Sequence, residues 1–240
     1  MINYSDQMDL FKLISKDIKR DFTCFAFGGT AMMFYGFKDD TKDIDLLFED
    51  EQSRSAFIET IEEEGFEESS PSGIYIPEKL RDKHKPLMFK KGEIRFDLFF
   101  GKIFRTQLSQ KMREDKYAVH DFKDKHLFRV NVLRTEHLVL LKSVTSRDKD
   151  FEDIITIIRK DKHFDWGYLV DEAIWQHEHG DSWALLDLEK TMRELKQYLL
   201  IESMYFSQIY AAQKGGKKEQ STKGQTGNII NGATKVRQRK

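Results

Sequence analysis

Two aspartates one residue apart, Asp43 and Asp45, open the run Asp43-Ile44-Asp45-Leu46-Leu47-Phe48, whose apolar content is that of a strand through Glu49. Alternate side chains of a strand share a face, so the two carboxylates project together about 7 Å apart, while Ile44 points the other way into the core. Like charges held side by side repel, and a divalent cation between them is the economical compensation. Magnesium, or manganese, suits such oxygen ligands. A third acid, Asp97, interrupts the apolar run from Ile94 to Phe100, where a half-buried carboxylate needs a partner. If its strand lies beside the first, three acids meet and can hold two ions, one activating an attacking hydroxyl and the other clamping a triphosphate. A salt bridge from Asp97 to Arg95 or Lys142 is the alternative. Upstream, Gly28-Gly29 lets the backbone approach phosphate oxygens, and the amides that open a following helix favour negative charge.

These residues need a sheet to carry them. Leu10, Phe11, Ile14 and Ile18 give a helix over 6–20, and the short apolar stretch Thr23 to Phe27 reads as a strand running into the glycine turn. Thr30 can cap a short helix through Tyr35 that stops at Gly36. The sequence further predicts a helix from Ser53 to Glu64 closed by Gly65, and a hairpin of Leu87–Lys90 with Glu93–Phe100 about Lys91-Gly92. Residues 69–86, which contain all three prolines, read as an irregular loop. A helix over Ile103–Glu114 and a strand over Leu127–Val132 follow. Thr135 is placed to cap a helix carrying Leu138, Leu141 and Lys142. Helices then come at Phe151–Ile158, at Trp166–Trp175 and from Leu185 to Tyr210.

The stretch GGTAMMFYGFKDDTKDIDLLFED, from Gly28 to Asp50, resembles the signature of the polymerase-beta-like nucleotidyltransferase superfamily: a Gly-Gly turn, a short helix, then Asp-x-Asp on a strand. More narrowly, Gly36 to Asp45 resembles the Gly-x-Arg-x-x-Thr-Lys-Asp-Ile-Asp pattern of the abortive-infection and type IV toxin-like branch. The stretch LKSVTSRDKDFEDI from Leu141 is similar to that branch's helical Lys followed by Arg-x-Lys-Asp-x-x-Asp, at Lys142, Arg147, Lys149, Asp150 and Asp153. The match spans roughly 22–160 in order. It implies an α/β (α+β) fold, a small mixed sheet flanked by helices, with a helical C-terminal part closing over a nucleotide. It also implies roles: Asp43, Asp45 and Asp97 as catalytic ligands of two magnesium or manganese ions, and Gly28, Gly29, Thr30, Lys38, Thr41, Lys142, Arg147, Lys149 and Asp150 as the nucleotide-binding set. Lys38 departs from the branch's Arg, keeping the charge without the bidentate fork.

The expected activity is transfer of a nucleoside monophosphate from an NTP such as ATP to a hydroxyl or phosphate acceptor. RNA, tRNA first, would be the acceptor for a toxin paired with an antitoxin partner; protein and small-molecule acceptors stay open. The alternative is an inactive nucleotide-binding or scaffold protein of the same fold. The residues divide into a catalytic domain over 1–133, a helical domain over 134–210 and a basic tail over 211–240, expected to be disordered for want of apolar side chains.

The 40 basic and 41 acidic side chains nearly cancel, so the total charge argues for no polyanionic partner. The tail, however, holds eight basic residues against the single Glu219, which reads either as a solubilising end, the usual fate of such segments, or as a contact for RNA phosphates. No apolar run has the length of a membrane span, the N-terminus lacks an apolar signal core, and the lone Cys24 cannot form an intrachain disulfide. A cytoplasmic protein is the expectation. His177, Glu178 and His179 are spaced wrongly for a helical metal site and read as polar surface.

Overall fold

The computed structural model describes residues 1–70, 72, 80–145 and 148–223, of which 216–223 as backbone alone. In chain order, β1 (Ile2–Asn3), α1 (Tyr4–Asp17), β2 (Phe22–Ala26), α2 (Gly28–Phe34), β3 (Asp40–Thr41), β4 (Asp43–Phe48) and α3 (Glu51–Glu63) lead to β5 (Glu67–Glu68), β6 (Leu87–Lys91) and β7 (Ile94–Phe100). Then come β8 (Lys102–Ile103), β9 (Thr106–Gln107), α4 (Gln110–Glu114), β10 (Lys116–Lys123) and β11 (Leu127–Leu133). The helices α5 (Thr135–Thr145), α6 (Asp148–Lys160), α7 (Trp166–Glu178), α8 (Ala184–Leu195) and α9 (Ser203–Lys223) complete the described chain.

The central sheet has the order β10-β11-β2-β4-β7-β6-β5, with β8 and β9 continuing from the end of β7. It is mixed: β11 runs parallel to β2 and β4 parallel to β7, while the other neighbours are antiparallel. The fold is the expected α/β arrangement, a mixed sheet flanked by helices and followed by a helical part. Each face of the sheet carries a core. On one, Phe11 of α1 and Phe57 of α3 pack with Phe22, Phe48, Phe96 and Phe128, mostly edge-to-face or tilted at centroid separations of 5.0 to 6.3 Å. Burying each such ring contributes about 1.5–3 kcal/mol. On the other face, Phe25, Leu47 and Phe99 of the sheet meet Leu138, Ile154, Leu169, Leu188 and Ile209 from the C-terminal helices. Cys24 is buried in the first core, and burial pushes its thiol far up.

Helix boundaries follow capping chemistry. Asn3 and Asp6 form a reciprocal capping box that starts α1, and Asp50 accepts from Ser53 N–H to start α3. Two of the expected caps lie elsewhere. Thr30 is the third residue of α2, whose cap position is Phe27, and Thr135 is inside α5, where its hydroxyl donates to Asp161 at 2.6 Å.

Several elements differ from the sequence expectation. The segment Ile103–Glu114 is a small hairpin plus the short α4, because Phe104 turns at φ +53° and Arg105 is tied to Asp181 and Asp187. The apolar residues Ile103, Phe104, Leu108 and Met112 have helix-like spacing, yet all four are buried in the second core on either side of the turn at Phe104. Strand β10 was not foreseen; its alternation of half-exposed and exposed residues is that of an edge strand. The long helix over Leu185–Tyr210 is broken at 196–202, where Tyr198 and Leu199 N–H both bond to Leu195 and Ile201 turns into the core. Helix α9 in turn runs past Tyr210 to Lys223, since Ala212 still packs on the core and Ala211 to Lys214 are strong helix formers. The remainder of the expected tail, 224–240, lies outside the described residues, as does much of the 69–86 loop. No helix among the described residues is long and apolar enough to cross a membrane.

Candidate active site

The parallel pairing of β4 with β7 sets Asp43 opposite Arg95 and Asp45 opposite Asp97. Period two along each strand then puts Asp43, Asp45, Arg95 and Asp97 on one face of the sheet. That face is roofed by α5 and α6, and the cavity between them, about 110 Å³, is lined by these four residues together with Gly28, Gly29, Lys38, Thr41, Lys142, Lys149, Asp150 and Asp153, among others. The strand pairing on which Asp97 depended is therefore present.

The glycine turn is fitted to the acids by contact. Gly28 sits at φ +58°, and a Cβ on it would come within 2.2 Å of Asp45 Oδ2. A Cβ on Gly29 would come within 2.5 Å of Thr41 Oγ1. A side chain at either position would have to push Asp45 or Thr41 aside. Thr30 has a different place from the one its resemblance implies. It is wholly buried, accepts from Asp45 N–H at 2.8 Å and lies within 3.5 Å of Asp43 C=O, outside the cavity lining. Its hydroxyl is bonded to the backbone of β4.

Electrostatics in the cavity are unbalanced around the acids. Asp45 is held well above the usual carboxylate range, first by burial, then by the charges of Asp97 and Asp43, with Lys142 and Arg95 pulling the other way. Asp43 Oδ1 is buried without a hydrogen-bond partner. Arg95 lies between the others: Nε donates to Asp97 Oδ1 at 2.7 Å, one terminal nitrogen reaches Asp97 Oδ2 at 3.2 Å, and the same nitrogen meets Asp43 Oδ2 at 2.7 Å. Asp97 is thus at once a neighbour of the acid pair and an ion-pair partner of Arg95.

Opposite the acids, Lys142 of α5 is nearly buried between Asp150 at 3.2 Å and Asp153 at 2.6 Å. Asp153 also takes Lys38 at 3.2 Å, and Thr145 donates to Asp150 at 2.5 Å. Lys38, on the loop after α2, therefore reaches across to α6 and closes one wall of the cavity. Lys149 stands exposed at the rim. Arg147 lies outside the described residues. His177 and His179 are remote from this cavity, and His179 stacks on Trp175 with ring centroids 4.0 Å apart.

From the sequence alone, Arg95 has a role only as a partner for Asp97. Its position two residues ahead of Asp97 places it on the same strand face, and that spacing was sufficient to find it.

The donor chemistry fits a hard divalent cation: carboxylate oxygens, one of them buried without a partner, on a charge-deficient face. The arrangement itself is arginine-bridged, and among the described residues no three His, Cys, Asp or Glu side chains come together as a ready metal-ligand set.

No family model matches the chain, and no curated protein matches it. Among solved structures it is similar to a crystal structure of a proposed nucleotidyltransferase from H. pylori, with 12% identity over 91% of this chain and 96% of that one and a TM-score of 0.38. A likeness that distant assigns no residue a role.

Proposed function

We propose that the chain is a divalent-metal-dependent nucleotidyltransferase, moving a nucleoside monophosphate from an NTP to a hydroxyl or phosphate acceptor. The observation that carries this is the convergence of Asp43, Asp45 and Asp97, from two adjacent parallel strands, on one cavity beside a Gly-Gly turn packed closely against Asp45 and Thr41. Purely structural acids would be separated or fully paired; here Asp45 is buried against two others. The motif resemblance over Gly28–Asp50 points to the same chemistry.

In this proposal Asp43 and Asp45 would hold the metal and Asp97 would complete its ligands; bound there, the metal neutralises triphosphate charge and lowers the pKa of the attacking hydroxyl. The amides of Gly28 and Gly29 face the phosphates, a role their lack of Cβ permits. Thr30 positions Asp45 through its N–H. Lys142 and Lys38 present positive charge on the facing wall, at present shared with Asp150 and Asp153. The cavity is smaller than the roughly 300–1,000 Å³ of typical ligand pockets. Nucleotide entry would part the Lys38–Asp153 contact and move α6 away from the sheet.

RNA ends, and tRNA among them, are the proposed acceptor class, with the basic residues after 211 as a phosphate contact and an antitoxin as a proposed partner. The competing reading is a nucleotide-binding scaffold without turnover. Incubation with each labelled NTP, magnesium and total RNA separates them. Label should pass to RNA with the native chain and not with Asp45→Asn. Failure of the native chain to label RNA, protein or small hydroxyl acceptors, while binding metal and nucleotide, establishes the scaffold instead.

A further inference from the structure

Arg95 makes the contacts a metal would make. Its guanidinium uses a planar fork on both oxygens of Asp97 and a further bond to Asp43 Oδ2, at 2.7, 3.2 and 2.7 Å. Its side chain is largely buried, so these charge-assisted bonds form away from most competing water. The oxygens it occupies belong to two of the three acids. Beside these bonds stand Asp43 Oδ1, buried and unpartnered, and the half-buried carboxylate of Asp45. A monovalent fork balances part of the cluster; a divalent ion would have charge and coordination enough for all three acids, the oxygens that Arg95 holds included.

We infer that Arg95 is an internal counter-cation competing with the divalent metal for Asp43 and Asp97, so that the cluster has two mutually exclusive states, arginine-bound and metal-bound. This rests on the reading of the cavity as a metal-dependent site. In the metal-free chain Arg95 keeps three acids tolerable on one sheet face. Metal entry requires the guanidinium to leave, so part of the intrinsic metal affinity is spent on displacing it. Arg95 is in this sense a positioning residue, acting through the acids on when the site becomes competent.

The test is manganese binding to the full chain by isothermal titration calorimetry at fixed pH, for the native protein, Arg95→Gln and Arg95→Lys, alongside thermal melting in chelator. With the competitor removed, Arg95→Gln should bind Mn²⁺ about tenfold more tightly or better, since charge-assisted hydrogen bonds no longer have to be broken. Arg95→Lys, which keeps the charge and loses the fork, should fall between the two. In chelator Arg95→Gln should melt below the native chain, and Mn²⁺ should raise its melting temperature by more. A native chain that binds Mn²⁺ with an Arg95→Gln that binds equally or more weakly overturns the competition while leaving the metal site standing. If Arg95→Gln does not fold, an Arg95→Lys affinity equal to or weaker than the native one does the same. Absence of Mn²⁺ binding in every variant overturns both the competition and the metal-dependent function.

Discussion

Replacing Gly28 by alanine probes the fit between the glycine turn and the acid cluster. Two costs arise. A non-glycine residue at φ +58° lies in the left-handed region, which costs roughly 1–2 kcal/mol. The new Cβ would also lie 2.2 Å from Asp45 Oδ2 and 3.0 Å from its Cγ, so the carboxylate must turn out of its well at a further ~0.5–1.5 kcal/mol. Gly36 supplies the control: its φ is +68°, and a Cβ there would meet nothing within 4 Å. Gly36→Ala carries the backbone cost alone, and the loss of unfolded-chain entropy on going from Gly to Ala is common to both and cancels. Urea denaturation in chelator should therefore show Gly28→Ala less stable than Gly36→Ala by ~1 kcal/mol. In Mn²⁺ titration, Gly28→Ala should lose affinity and Gly36→Ala should keep it. Equal stability losses together with equal metal affinities would refute the packing of the turn against Asp45.

Asp45→Asn removes a buried charge from beside two others, so in chelator it should raise the melting temperature, by about 1 kcal/mol or more of stability, while abolishing the gain from Mn²⁺; a lower melting temperature in chelator contradicts the charge excess. Thr30→Val leaves the Asp45 N–H without its acceptor and should cost about 1–3 kcal/mol, most of which Thr30→Ser restores; a loss for Val no larger than that for Ser would remove Thr30 from its positioning role. Burial, with Arg134 and Lys111 adding to it, pushes His137 down to about 3, and its Nδ1 has no partner. The unfolded chain takes up a proton below the ordinary imidazole value of about 6.5 that the folded chain refuses until about pH 3. Stability from this group is full above that ordinary value and falls by ~1.4 kcal/mol per unit as the pH drops below it, a slope that His137→Asn should remove in urea titrations at stepped pH.

The sequence by itself determined the local half of the site. Asp43 and Asp45 share a face because side chains alternate along any strand, and the Gly28-Gly29 turn between a strand and a helix follows from apolar runs and the need for a residue with no Cβ. The hairpin about Gly92 and helix α3 were legible for the same local reasons. Strand β10 is not legible because its half-exposed alternation lacks a continuous apolar run, and the break before α9 is not legible because apolar residues recur at helical spacing on both sides of it. Tertiary structure alone decided which strands became neighbours. The parallel pairing of β4 with β7 sets Asp97 opposite Asp45 and brings Arg95 onto Asp43, a contact between residues 52 positions apart that no local pattern encodes. It also turned the Thr30 hydroxyl under β4, where the unpaired N–H of Asp45 needed an acceptor, and it carried Lys38 to Asp153 across the cavity. Local periodicity fixes the direction in which a side chain points, whereas its partner depends on how the sheet and the helices above it pack.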